Sequence, residues 1–222
     1  MNYFVTGTDT GVGKTLISCA LLHEFSGQGR RVVGMKPVAS GCDKDGWNED
    51  VRQLQQASNV QAAQDVINPY RFQPAIAPHI AAQQAGMKIE MQRVRDAYEE
   101  LASLADSVIV EGVGGFRVPL NETQDTSDLA RELGLPVIMV VGMRLGCINH
   151  ALLTVRSIGD CGLECAGWVA NVLDADMTAL PENIAALQQR MAVPLLGIVE
   201  HQVQVDARTV AKKIRVEILE NN

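Results

Sequence analysis

Apolar residues along this chain gather into short, nearly unbroken runs separated by longer amphipathic stretches. The runs at residues 3–6, 31–35, 107–110, 136–141, 166–170 and 194–199 predict strands. In Ile138-Met139-Val140-Val141 no polar residue alternates with the apolar ones, which suits a strand buried on both faces, as in parallel sheets. Residues 14–25, 49–57, 91–104, 128–133, 148–158 and 181–191 predict helices, with an N-cap from Thr126-Ser127-Asp128 and Pro181 in a first turn. This alternation predicts a doubly wound α/β fold: a mainly parallel sheet with helices on both faces. Residues 36–90 carry Pro37, Pro69, Pro74 and Pro78 and no strand periodicity, so they predict a loop-and-helix excursion, which at that length usually serves function. Without repeats, low-complexity tracts or linkers, the expectation is a single domain over residues 1–222.

Composition narrows the class. With 47% apolar residues in 222, the chain can build one continuous core. It shows no leader-like segment and no apolar run near the roughly 20 residues that span a bilayer, so the expectation is a soluble, cytoplasmic protein without a membrane partner. Five cysteines without CxxC pairs and four scattered histidines point to a reducing compartment and no structural zinc. A net charge of −7 without a Lys/Arg-rich tract argues against a nucleic-acid partner, because phosphate backbones are held by clustered cations.

The strongest chemical signal follows the first predicted strand. Gly7-Thr8-Asp9-Thr10-Gly11-Val12-Gly13-Lys14-Thr15 runs directly into the first predicted helix. In that setting glycines let backbone N–H groups face phosphates, the helix N-terminus adds positive potential, Lys14 reaches the outer phosphates and Thr15 can hold Mg²⁺. Five residues separate Gly7 from Gly13, one more than the usual phosphate loop. Glu111 caps the apolar run 107–110, where a P-loop protein carries its metal-side carboxylate, and Gly112 and Gly114 let backbone approach a ligand.

Set beside Lys36-Pro37-Val38-Ala39-Ser40-Gly41, Glu111-Gly112-Val113-Gly114-Gly115, Leu145-Gly146-Cys147-Ile148-Asn149-His150 and Gly167-Trp168-Val169-Ala170-Asn171, this loop makes the sequence resemble the bacterial dethiobiotin synthetases. The matches run in order from residue 3 to about 199. The resemblance implies a P-loop enzyme that uses Mg²⁺ and ATP to close a ureido ring on 7,8-diaminononanoate with CO₂, giving dethiobiotin, ADP and phosphate. The substrate amine first captures CO₂ as a carbamate, the γ-phosphoryl group activates it, and the second amine closes the ring.

By the same resemblance Lys14 and Lys36 are catalytic, and Thr15, Asp50 and Glu111 hold the metal. Nucleotide contacts come from Gly11, Val12, Gly13, Lys14, Thr15, Leu16, Asp50, Glu111, Gly112, Val113, Gly114 and Asn171. Substrate contacts come from Ser40 and from Leu145, Gly146, Cys147, Ile148 and Asn149, the last five reaching a partner subunit's substrate in a homodimer. From position alone Lys36 equally fits a solvated strand-end lysine, Ser40 a turn serine, Asn171 a turn asparagine, and Asp50 an N-cap or first-turn dipole partner. His79 and Cys147 read as structural residues. Two departures stand out: Gly11 replaces an acidic or small polar residue, and Val199-Glu200-His201-Gln202 replaces a base-contacting Pro-aromatic-Leu, which predicts modest selectivity among triphosphates. The competing readings are a partition-type P-loop ATPase switch, which would carry an extra lysine early in the loop, and a regulatory module that binds nucleotide without chemistry.

Overall fold

The computed structural model describes residues 1–201 and 206–220. Six parallel strands form one sheet: β1 (Tyr3–Gly7), β2 (Val32–Met35), β5 (Ser107–Glu111), β6 (Val137–Met143), β7 (Cys165–Val172) and β8 (Leu195–Val199), in the order β2-β5-β1-β6-β7-β8. The central strands are buried throughout, and β6 shows why its sequence lacks polar alternation. Val137, Met139, Val141 and Met143 point into one core layer, whereas Ile138 and Val140 point into the other. Helices α1 (Lys14–Gly27), α9 (Ala207–Ala211) and α10 (Glu217–Glu220) cover the second layer. Helices α5 (Met91–Leu104), α6 (Thr126–Leu133), α7 (Cys147–Asp160) and α8 (Leu180–Arg190) cover the first. Helix α2 (Glu49–Ala57) lies beyond the β2 edge and sends Val51 to one layer and Leu54 to the other.

The doubly wound α/β expectation holds, with element ends shifted by one or two residues as end fraying allows. Three features differ. The excursion at 36–90 contains strands: β3 (Val38–Ser40) and β4 (Tyr70–Phe72) pair in parallel as a second, two-stranded sheet, accompanied by α3 (Gln64–Ile67) and α4 (Pro78–Gln84). Three-residue strands flanked by prolines are too short to show a period of two. The C-terminal helices α9 and α10 are also too short for a helical period, yet they bury Val210, Ala211 and Leu219 against the core.

The third correction concerns the start of α6, where the N-cap is Asp125 and not Thr126-Ser127-Asp128. The Asp125 carboxylate accepts from the N–H groups of Ser127 and Asp128, and Asp128 Oδ2 accepts from Asp125 N–H, closing a capping box. Thr126 is inside the helix, and its hydroxyl donates to Phe116 O and accepts from Val118 N–H, tying down the loop after β5.

The sheet edge at β2 is closed by side chains. Asn59 Oδ1 accepts from Val32 N–H at 2.7 Å and Ser58 Oγ accepts from Gly34 N–H at 2.9 Å, so the turn after α2 substitutes for a further strand. Strand order reverses about β1, and the carboxyl ends of β1, β2 and β5 open a crevice there, the usual ligand position in such sheets.

Candidate active site

β1 delivers the chain into this crevice, and the phosphate loop is held from below. Val12 is buried, while Gly11 and Gly13 take φ of +73° and +92°, a left-handed conformation that other residues adopt at a cost. Asn171, within β7, donates its side-chain amide to Val12 O at 2.8 Å and packs against the Cα of Gly13. Lys14 opens α1 and is 7% exposed; its Nζ donates to Asp9 O at 3.2 Å, so the ammonium curls over the loop. Burial, helped by the neighbouring Lys36 charge, brings the Lys14 pKa down to about 8. An anion entering the loop would relieve both penalties, which makes this lysine receptive to phosphate.

Next to Lys14 lies a compact charged centre. Lys36 follows the last residue of β2, and its Nζ donates to Glu111 Oε1 at 2.5 Å, Asp50 Oδ2 at 3.0 Å and Gly112 O at 3.2 Å. Burial alone would lower the Lys36 pKa, but the charges of Glu111 and Asp50 outweigh it and hold it above the ordinary lysine value. Burial likewise pushes Asp50 up, and Lys36 more than reverses this, leaving the carboxyl below its usual range. Asn48 caps α2 by accepting the Asp50 N–H, so Asp50 sits in the first turn with its carboxylate aimed at the centre. Glu111, fully buried at the end of β5, also accepts from the Thr15 hydroxyl at 3.0 Å.

The second carboxylate oxygen of Glu111 is buried and has no hydrogen-bond partner among the described residues. An orphaned anionic oxygen is costly unless something compensates it. With Thr15 Oγ1 and the Asp50 carboxylate close by, the donors are all oxygen and few, which fits a magnesium ion that retains several waters.

A cavity of about 760 Å³ opens onto this centre. It is lined by Gly11, Gly13, Lys14, Thr15, Lys36, Ser40, Asp50, Glu111, Val113 and Gly114, so most of the predicted site residues converge on it. The Ser40 hydroxyl is buried without a hydrogen-bond partner among the described residues, available to a polar ligand atom. Thr10, Asn48, Val118 and the segment from Ala75 to Pro78 also line it, and sequence reasoning did not single them out. For Ala75 to Pro78 the only signal is the apolar run after Pro74.

Other predicted residues lie elsewhere. Val12 and Asn171 sit beneath the loop and do not line the cavity, and Gly112 contributes its carbonyl to Lys36. Leu16 lines a separate groove with Cys19 and His23. The segment Leu145-Gly146-Cys147-Ile148-Asn149 stands off the cavity at the start of α7: Leu145 is 97% exposed, Gly146 is the N-cap with φ +93°, and Cys147 is buried in the core. Of the segment expected to follow the last strand, Gln202 lies outside the described residues.

Two ammonium groups, oriented backbone N–H groups and an oxygen-lined cation position around one cavity suit the binding of a triphosphate and transfer of its terminal phosphoryl group. Comparison with known proteins narrows this. Solved structures of similar fold include the MinD cell division protein of Aquifex aeolicus, at TM-score 0.56 and 13% identity over 97% of this chain and 89% of that one. A ParA family ATPase from Chlorobium tepidum has TM-score 0.58 and 15% identity, over 99% of this chain and 96% of its own. At such identities the likeness shows the P-loop fold alone. A family model described as an AAA domain matches residues 1–209. The ATP-dependent dethiobiotin synthetase BioD of Nitrosospira multiformis is 53% identical over 214 residues, 96% of this chain and 94% of that protein. Its namesake in Aromatoleum aromaticum is 53% identical over 217 residues, 96% of each chain, and that in Xylella fastidiosa strain 9a5c is 50% identical over 202, 90% of this chain and 89% of that one. Identity at this level, spread over nearly the whole of both chains and joined to the charged centre just described, places the chain in the family of the ATP-dependent dethiobiotin synthetases.

Proposed function

We propose that this protein is an ATP-dependent dethiobiotin synthetase of biotin biosynthesis, a single P-loop α/β domain over residues 1–222 working in the cytoplasm. The observation that carries the reading is the convergence of Lys14, Lys36, Asp50, Glu111 and Ser40 on one cavity, in a chain about half identical to named synthetases throughout its length. One amine of 7,8-diaminononanoate attacks CO₂ and loses a proton to become a carbamate. A carbamate oxygen attacks the γ-phosphorus of ATP and ADP leaves. The second amine then attacks the activated carbon, phosphate leaves and the ureido ring closes.

Each group has a task in that sequence. The loop from Gly11 to Leu16 grips the phosphates, with Gly11 and Gly13 giving backbone and Lys14 giving charge. Lys36 neutralises the carbamate and the oxygens of the moving phosphoryl group, since stabilising developing charge is most of the work in phosphoryl transfer. Thr15, Asp50 and Glu111 would hold Mg²⁺, which when bound would supply positive charge to offset that of the nucleotide's phosphates. Ser40 hydrogen-bonds the carbamate or an amine, and the apolar wall at Ala77, Pro78 and Val118 accepts the methylene chain. Asn171 offers the adenine edge a donor and an acceptor from beneath the loop, and Gly112, Val113 and Gly114 line the approach.

The site belongs to a homodimer in this reading. The 145–149 segment stands away from its own cavity, and the first-turn N–H groups of α7 suit a carboxylate at the end of a partner's substrate. A randomly exchanged mixture of inactive Lys14→Ala and inactive Gly146→Glu chains should regain about a quarter of wild-type activity, since about half the dimers are mixed and each of those regains one of two sites.

The decisive experiment is mass spectrometry and phosphate assay on protein mixed with Mg-ATP, bicarbonate and 7,8-diaminononanoate. Dethiobiotin should form, with phosphate release requiring both diamine and the CO₂ source. Equal ATP turnover without the diamine would reject the synthetase reading.

A further inference from the structure

Lys36 is held at both ends, and only one end belongs to the charged centre. Its ammonium is fixed by Glu111, Asp50 and Gly112 O. Its backbone has just left β2 and precedes Pro37, whose missing N–H and steric demands end the ladder. The peptide groups of Lys36 therefore need partners from outside the sheet, and one short stretch supplies them. Lys36 N–H donates to Ile67 O at 2.9 Å, Pro37 O accepts from Tyr70 N–H at 3.0 Å, and Lys36 O accepts from the side-chain amide of Asn68 at 2.5 Å.

Asn68 is fully buried. The other bond from its Nδ2 goes to Tyr70 O at 3.1 Å, at the start of β4, while its own N–H donates to Gln64 O at 2.7 Å. Its Oδ1 has no hydrogen-bond partner among the described residues. The amide thus acts wholly as a double donor, and what it clasps is the carbonyl of Lys36 and the strand that pairs with β3. A purely apolar side chain here would leave no orphaned oxygen, so packing alone does not account for this asparagine.

We infer that Asn68 is a positioning residue for Lys36, fixing the backbone end of the side chain whose ammonium must meet the transferred phosphoryl group. A lysine side chain has four rotatable bonds, and a small shift at Cα displaces Nζ from a site where about 1 Å can cost roughly a hundredfold in rate. The inference rests on the proposed role of Lys36 in the synthetase reaction.

The test is a double-mutant cycle on the purified enzyme with Mg-ATP, bicarbonate and the diamine, joining Asn68→Ala to Lys36→Met. Asn68→Ala alone should lower kcat by about 10- to 100-fold while the Kd of Mg-ATP from calorimetry stays within about threefold, because phosphate loop and metal carboxylates are untouched. In the Lys36→Met background the same change should cost less than about threefold, since the group it positions is gone. Equal losses in both backgrounds, or a loss confined to nucleotide affinity and melting temperature, would overturn the inference. Should Asn68→Ala fail to fold, Asn68→Ser keeps one donor, and the same cycle with a smaller first effect decides the matter. Wild-type enzyme that makes no dethiobiotin would instead sink the functional reading, a separate outcome.

Discussion

The contact between Gly13 and Asn171 allows a stability effect to be worked out residue by residue. In Gly13→Ala the new side chain would take a backbone with φ +92°, costing about 1–2 kcal/mol in the left-handed region. Its Cβ would also lie closer than 3.0 Å to the Asn171 amide nitrogen. Asn171 would then have to withdraw from Val12 O, leaving a buried carbonyl without its 2.8 Å donor and adding roughly 1–3 kcal/mol. Gly11→Ala is the matched control: φ there is +73°, and among the described residues nothing lies within 4 Å of a Cβ, so only the conformational cost of about 1–2 kcal/mol remains. At roughly 2–4 °C per kcal/mol for a domain of this size, the Gly13 variant should melt several degrees below the Gly11 variant. Thermal denaturation followed by circular dichroism gives both values, and Mg-ATP titration should show a larger affinity loss for Gly13→Ala. Equal melting temperatures for the two variants would show that Asn171 does not brace the loop as described.

Lys14→Ala should lower turnover at least about 10²-fold in the phosphate-release assay, as loss of a desolvated electrostatic stabiliser does, and near-normal activity would remove the loop from the mechanism. Glu111→Gln should raise the Mg²⁺ concentration for half-maximal activity at least about tenfold, read from a magnesium titration at saturating ATP; an unchanged requirement would take Glu111 off the metal. Asp125→Ala removes the α6 cap and should cost about 1 kcal/mol, or roughly 2–4 °C in melting temperature at neutral pH. Burial alone would push the Asp125 carboxyl up, but hydrogen bonds from Ser127 and the Arg117 charge hold it below its ordinary value. The stability it supplies is therefore present above that value and lost as pH falls through the lower folded pKa, so wild type and variant should converge in acid and differ at pH 7.

The sheet and most helices are legible because burial on both faces writes unbroken apolar strands, and Lys14 and Glu111 stand out because one opens the helix after a glycine-rich loop and the other ends a buried strand. Lys36, Asp50 and Ser40 were not separable from ordinary strand-end, first-turn and turn residues by spacing; their significance comes from meeting in space across 75 positions, from Lys36 to Glu111. Asn68 left no trace at all, since a buried side-chain-to-backbone bond has no period. For Asn171 the resemblance suggests a base contact; the bond from its amide to Val12 O is an additional contact that no sequence pattern announces. Strands β3 and β4 escaped because three residues are too few to alternate.

The side-chain closure of the β2 edge has a colloidal consequence. A bare parallel edge offers a row of N–H groups to any passing extended chain, and here the donors of Val32 and Gly34 are already occupied by Asn59 and Ser58. The same two residues follow directly on the helix that carries Asp50, so the stopper of the sheet and the tether of a proposed metal carboxylate are one piece of chain. An enzyme losing this turn would lose solubility and magnesium affinity together, in the same protein preparation, from a change made well away from any nucleotide.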